Sequence, residues 1–385
     1  MEFSVQRADL LKELTLSQGV VERKTTIPIL SNVLLEALEK EKLLRITATD
    51  LELGIRSSCE AKVKKAGSTT APAKKLFDYV RQLEEPEIRF KTVGSATEGS
   101  SGAAGLQLAC GRSHVRMAGM PRDNFPVLPD MPGALAVIPP AVFGQMIRRT
   151  VFAISNEESR YTLNAALLIL KPETMTMVAT DGHRLAHVET SPAIAKEGYK
   201  GVSGELRILV PKKAMTELSR LLTDVPEGAG IEFAKDDNHL FFQIGSRLLI
   251  SRMLSGQFPN YEAVMPKENS KVVTLGQDAL TAAVRRVSLF SDERSHAIRF
   301  QLDKDEVKIS SSGSEVGESE ETLPATYAEG PLQMGFNWQY LLDFLSAAES
   351  QTIALEFKDE QSAGQMRPEP EEKLRYRYVV MPMRI

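Results

Sequence analysis

Residues 180–187 read TDGHRLAH, the stretch of this 385-residue chain that looks most like chemistry. Asp181, His183, Arg184 and His187 fall close together, in a protein with 5 histidines. A carboxylate beside an imidazole could form an acid–base pair, and two histidines at i and i+4 could share a metal ion. Neither reading finds its other parts. No candidate nucleophile or phosphate-binding loop accompanies Asp181 and His183, and no third ligand stands near His183 and His187. A strand end with locally satisfied polar groups is the remaining reading. The earlier Ala-Thr-Asp that ends at Asp50 supports it: no Gly-His follows there, so Asp181 is expected to be structural.

That second Ala-Thr-Asp belongs to an internal repeat. ITATDLELGIR from Ile46 matches MVATDGHRLAH from Met177, and DNFPVLP around Phe125 matches GQFPNYEAVMP around Phe258. The two offsets differ by only a couple of residues, and the last third follows the same order more loosely. Three units result, 1–133, 134–268 and 269–385. Apolar residues at i, i+3 and i+4 predict helices over about 4–17, 72–83, 140–153, 211–222, 277–289 and 337–348. Pro72, Pro140 and Pro211 stand near helix starts, and Asn337 is suited to an N-cap. Short period-two runs such as IRFKTV, VKISSS and IALEFKDE separate the helices. The fold class is α+β, a helix with several antiparallel strands repeated six times. Two segments depart from the pattern and are expected to be surface insertions: the small, polar 93–105 and 359–372, where Pro368 and Pro370 argue against strand pairing.

Composition narrows the classes. The N-terminus is charged throughout and lacks a signal peptide's apolar core, and no window approaches the length needed to span a bilayer. Cys59 and Cys110 make no disulfide framework. A reducing cytoplasm is expected, with no membrane partner, no metal and no cofactor.

The net charge of −4 hides an asymmetry. The six helices together are basic, so the remainder is strongly acidic. Lys74, Lys75, Arg81, Arg148, Arg149, Lys212, Lys213, Arg220, Arg285 and Arg286 lie on helices two to five. Gathered on one surface, they would attract phosphates despite the negative total. A second asymmetry sets a basic stretch at 60–122 against an acidic one at 303–321, which favours head-to-tail association.

TTIPILSN (25–32), ATDLEL (48–53), NFP (124–126), TDGHRLA (180–186), FPNYEAVMP (258–266) and YVVMPMRI (378–385) resemble, in order and over the whole chain, the bacterial sliding-clamp family, the beta subunit of DNA polymerase III. The resemblance implies three copies of the DNA-clamp fold, two helices on antiparallel sheets in each, in a head-to-tail homodimeric ring. The ring would encircle double-stranded DNA without reading its sequence, as a processivity factor and not an enzyme. The basic residue that precedes the TxPIL segment in the family is matched by Arg23 and Lys24. A pocket for partner peptides would take in Thr180, Gly182, His183, Arg184 and Leu185, with Arg160, Leu163, Pro259 and Val264 as further walls. The tail would complete it with Val379, Val380, Met381, Pro382, Met383 and Arg384. Phe77, Val115 and Met117 of one copy would meet Leu289 and Phe290 of the next. Implied partners are the clamp loader, DNA polymerases, mismatch-repair proteins and DNA ligase.

Overall fold

The computed structural model describes residues 1–22, 25–94, 105–226, 228–313 and 317–384. Helices occupy the six expected regions: α1 (Arg7–Ser17), α2 (Ala73–Gln82), α3 (Pro140–Arg148), α4 (Lys212–Leu221), α5 (Gln277–Ser288) and α6 (Trp338–Ala347). Pro140 opens α3, while Pro72 and Pro211 immediately precede α2 and α4, so none of the three interrupts a helical hydrogen bond. At α6 the Asn337 side chain accepts from the Gln339 backbone N–H at 2.9 Å, the expected N-cap.

Two helix ends differ from the periodicity. Glu2–Gln6 is a strand rather than the start of α1, because its alternating buried residues pair with the strands Leu53–Lys65 and Glu87–Val93 on both sides. α3 stops at Arg148, and a short 3-10 turn covers Val151–Ala153. Thr150 Oγ1 donates back to the Met146 carbonyl at 2.8 Å, one of the local bonds that compete with a continuing helix.

The chain forms two compact units, and the second third is divided between them. One unit holds residues 1–140 and 213–253, the other 141–212 and 254–385. The strand pairing explains the division. In the first unit, Leu53–Lys65 pairs antiparallel with Arg247–Arg252, Ile55 opposite Leu249, within a 12-stranded sheet. Beneath that junction, Arg247 makes a two-pronged ion pair with Glu13 of α1, at 2.7 Å for the shortest contact and with both side chains buried. The second unit holds an 8-stranded and a 4-stranded sheet. There Arg184–Thr190 pairs with Leu374–Val380 along its whole length, from Arg184 opposite Val380 to Thr190 opposite Leu374. Fully buried aromatic side chains fill both interiors: Phe90, Phe233, Phe241 and Phe242 in the first, Phe300, Phe344, Tyr376 and Tyr378 in the second.

The 359–372 expectation needs correction. Gly364–Glu369 is a strand, and Pro368 stands opposite Ile353. Its other neighbour, Leu374–Val380, pairs only as far as Met366. Pro368 therefore lies where the strand has a single partner, and a missing N–H is tolerated. The 93–105 segment joins two paired strands, Val93 opposite Gly105, and its tip lies outside the described residues. Among the described residues no helix is long and apolar enough to cross a membrane.

Candidate functional site

The Thr-Asp loops have one geometry, built twice. Asp181 Oδ1 accepts the backbone N–H groups of His183 and Arg184 at 2.9 and 3.1 Å. Asp50 Oδ1 accepts those of Glu52 and Leu53 at 2.9 and 2.6 Å. The preceding threonines match as well: Thr180 Oγ1 donates to the Arg184 carbonyl at 2.6 Å, and Thr49 Oγ1 to that of Leu53 at 2.9 Å. The residue after each aspartate takes a positive φ, +80° at Leu51 and +93° at Gly182. Both aspartates are committed to turning the chain, so the carboxylate of TDGHRLAH is structural.

Arg184 is committed too. Its Nε donates to Asp181 at 2.9 Å, Nη1 to Asp343 of α6 at 2.5 Å and Nη2 to the Phe152 carbonyl at 2.7 Å. The guanidinium lies 4.4 Å from the centre of the Tyr340 ring, and its side chain is only 10% exposed. An arginine held at all three nitrogens ties its strand to α6 and offers a peptide little, although the resemblance counts it in the pocket. Sequence reasoning missed Tyr340 and Asp343, because nothing in the chain links positions so far apart in sequence. Tyr161, next to Arg160 and 58% exposed, was also missed, although an aromatic between two named residues was a readable signal.

The apolar members sort into buried and exposed. Leu185 and Val379 lie opposite each other and belong to one buried cluster with Leu167, Leu209 and Tyr261. Val380, Leu163 and Thr180 are also buried. These residues are core and present almost no face to a ligand. Met381 and Val264 do present one. Met381 is held beside the loop by its N–H donating to the His183 carbonyl at 3.0 Å, and Val264 follows the Tyr261 turn anchored in the same cluster. His183, Arg160, Pro259 and Arg384 are exposed; Pro382 and Met383 are half-buried. The Arg160 Nη1 donates to the Asp181 carbonyl at 3.3 Å and would meet any Cβ placed on Gly182, so a small residue suits that position twice over.

The helix cations divide similarly. Lys74, Lys75, Arg81, Arg148, Lys213, Arg220, Arg285 and Arg286 are exposed. Several hold a nearby carboxylate: Lys213 pairs with Asp50, Arg286 with Glu321, Arg148 with Glu349 and Arg220 with Glu217. Arg149 must be withdrawn from a DNA-facing set. It is 2% exposed, ion-paired with Glu372, and stacked 5.2 Å from the Tyr376 ring centre. The two arginines are adjacent, Arg148 ending α3 and Arg149 just beyond it, and only Arg148 points outward. Lys212 is half-buried and donates to the Ile154 carbonyl and to Asn156. Arg23 and Lys24 lie outside the described residues.

Each unit also has an edge strand with a single neighbour among the described residues. Ser113–Met117 closes one side of the 12-stranded sheet, and Gly317–Pro324 one side of the 4-stranded sheet. Leu289 and Phe290, just past α5, are 76% and 36% exposed. Phe77 and Val115 are half-buried, while Met117 is buried opposite Leu106 and belongs to its own sheet's packing.

Models of the DNA polymerase III beta subunit match the chain in three parts: the N-terminal domain over residues 1–129, the central domain over 137–260 and the C-terminal domain over 262–384. The chain is 34% identical to the beta sliding clamp of Pseudomonas putida, with all of both chains covered. It is 31% identical to that of Chlamydia muridarum, covering 100% of this chain and 99% of the relative. Among solved structures, the DNA polymerase sliding clamp of Pseudomonas aeruginosa with ligand superposes with a TM-score of 0.89 at 32% identity over the full length of both. A sliding clamp from the same organism bound to griselimycin matches at 33% identity with a TM-score of 0.89, again over both full lengths.

The second histidine of TDGHRLAH gives this geometry a test in solution. Burial, with Arg375 and Arg377 adding to it, pushes the His187 imidazole down from 6.5 to about 4, and its Nδ1 has no hydrogen-bond partner among the described residues. Because the folded value lies below the unfolded one, the unfolded chain binds more protons between these pH values. The neutral ring's contribution is therefore intact above about pH 6.5 and is lost as pH falls toward 4. His187→Phe keeps the ring against Tyr261 and removes the titration. In urea unfolding at pH 7.5 and 4.5, the variant should lose less stability than the parent by on the order of 2 kcal/mol. Parallel losses would show that His187 is not held neutral.

Proposed function

The chain belongs to the DNA polymerase III beta subunit family, the beta sliding clamps, and from that premise we propose that two copies close head to tail into a ring around duplex DNA. The task of such a clamp is to keep a polymerase on its template, and it does so without catalysis: closure prevents escape, so each contact with DNA can be weak. The domains of this reading are 1–133, 134–268 and 269–385. The single observation that carries the ring is the pair of open sheet edges. Ser113–Met117 includes His114 and Arg116, whereas Gly317–Pro324 carries Glu318, Glu320 and Glu321. Edges of opposite charge, each with unpaired backbone groups, can extend one sheet into the next. The exposed Leu289 and Phe290 supply the apolar centre such a contact needs, meeting Phe77 and Val115.

The exposed helix cations, Lys75 and Arg285 foremost, would face the DNA. Surface ion pairs such as Arg286–Glu321 are worth little and leave their cations available to phosphates. Partner proteins would reach the ring through Met381, Val264, Pro259 and His183, over the floor formed by Leu185 and Val379. The clamp loader, polymerases, mismatch-repair proteins and ligase are the partners this reading takes from the family. Its place is the cytoplasm.

Two outcomes follow from this arrangement. Leu289→Asp with Phe290→Asp should leave folded monomers in sedimentation, because the interface loses its apolar centre; an unchanged dimer would place the interface elsewhere. For the pocket, exposed residues are the ones to change, since a charge at buried Leu185 would disturb the core. Met381→Asp and Val264→Asp should each weaken a fluorescent peptide rich in glutamine and leucine at least tenfold. His183→Gln should cost only about the 0.5–1.5 kcal/mol of one hydrogen bond. Anisotropy titrations that rank His183→Gln as the most damaging would reject an apolar pocket.

A further inference from the structure

The sheet formed by the first third has one face against α1 and another that carries an ordered set of cations. Registers across five neighbouring strands place Lys62, Ser4, Arg89, Ala109 and His114 in one row. A second row runs through Glu2, Lys91, Gln107 and Arg116, with Lys64 reaching Glu2 at 2.8 Å. The basic residues thus fall on every second strand: Lys62 and Lys64, then Arg89 and Lys91, then His114 and Arg116. Strand geometry spaces these columns by roughly 9–10 Å and the two rows by roughly 7 Å. Phe3 and Phe90 point to the other face and are buried. Most of these residues line one shallow groove of about 510 Å³.

Among the described residues, three carboxylates share the face: Glu87 with Lys62, Glu2 with Lys64, and the exposed Glu60 two residues before Lys62 on the same strand. Arg89, Lys91 and Arg116 are exposed and hold no ion pair among the described residues. None of these cations lies on a helix, and Lys62 and Lys64 stand four strands from the open edge at Ser113–Met117. Neither the proposed DNA-facing helices nor the proposed dimer contact uses Lys62, Lys64, Arg89 or Lys91; only His114 and Arg116 stand on the strand assigned to that contact.

We propose that this sheet face is a second, sequence-independent binding surface for the phosphate backbone of duplex DNA, separate from the DNA that the ring would encircle. The chemistry of the face selects that occupant. A peptide partner generally anchors through buried aromatic or aliphatic side chains, and no large hydrophobic side chain is exposed here. Single strands are held largely by bases stacked on aromatic rings, and the one exposed ring on the face among the described residues is the His114 imidazole, Phe3 and Phe90 being buried. What it offers is cations with long side chains and neutral polar groups between them, Ser4 and Gln107, which suits phosphates and reads no sequence.

The test uses a small, covalently closed duplex circle with neither clamp loader nor ATP. A closed ring cannot thread such a circle, so binding reports surfaces other than a central hole. The full-length protein should bind a fluorescent circle at low salt and weaken steeply as salt rises. Arg89→Ala with Lys91→Ala should weaken binding about fivefold and reduce the slope of log K against log salt by roughly two. Lys75→Ala with Arg285→Ala should leave the circle affinity unchanged. These substitutions are at exposed positions, and a thermal melt that matches the parent's confirms folding. The proposal is overturned if the sheet-face variant binds like the parent, or if a poly-glutamate peptide binds the face more tightly than the circle. A loss confined to the helix variant would overturn both this proposal and the closed ring, whereas loss of both variants' binding would overturn the ring alone.

Discussion

Backbone hydrogen bonds between strands of different thirds are the constraint on which this architecture rests. Leu53–Lys65 needs Arg247–Arg252 at one edge, and Arg184–Thr190 needs Leu374–Val380. A repeat that kept its strands to itself would expose four more edges to water, each a row of unpaired donors and acceptors. Sharing them leaves few edges open in either unit, among them Ser113–Met117 and Gly317–Pro324. The same sharing divides the second third between two compact units, although the sequence repeat treats it as one.

Side chains reinforce each junction with charge taken out of water. Glu13 and Arg247 are buried together in the first unit. In the second, Arg184 answers Asp181, Asp343 and the Phe152 carbonyl from the first residue of its strand. Such pairs add little net stability over an apolar packing of equal volume, yet losing one partner is costly, so they penalise any other register of the strands. This is why the most chemically suggestive stretch of the chain contains so little free chemistry. Asp181 turns the backbone, Arg184 braces α6, His187 is kept neutral, and His183 remains as an exposed polar group next to Met381.

The parts of the fold that rest on local rules were legible. The Ala-Thr-Asp repeat announced the shared loop, prolines marked helix starts, and Asn337 capped α6 as its side chain allows. What failed depended on contacts distant in sequence. Arg148 and Arg149 look alike as a basic pair, and only the ion pair with Glu372 shows that Arg149 points inward. Pro368 argues against a strand until its single-neighbour position is known. Leu185 and Val379 stand in the motifs beside Met381 and Val264, but cross-strand packing buries the first two and leaves the other two exposed. The family resemblance named these residues together without separating the buried ones from the exposed ones.

The central claim is that this protein stays on DNA by enclosing it, and one measurement addresses it directly. The protein is loaded onto a closed plasmid with a clamp loader and ATP, the salt is raised to a level that abolishes ordinary phosphate contacts, and the plasmid is then cut once. Retention through the salt step followed by complete release after the cut is the expected result. Loss on raising the salt, before any cut, would mean that charge and not closure holds the complex. Persistence after the cut would mean that the protein grips DNA and does not slide.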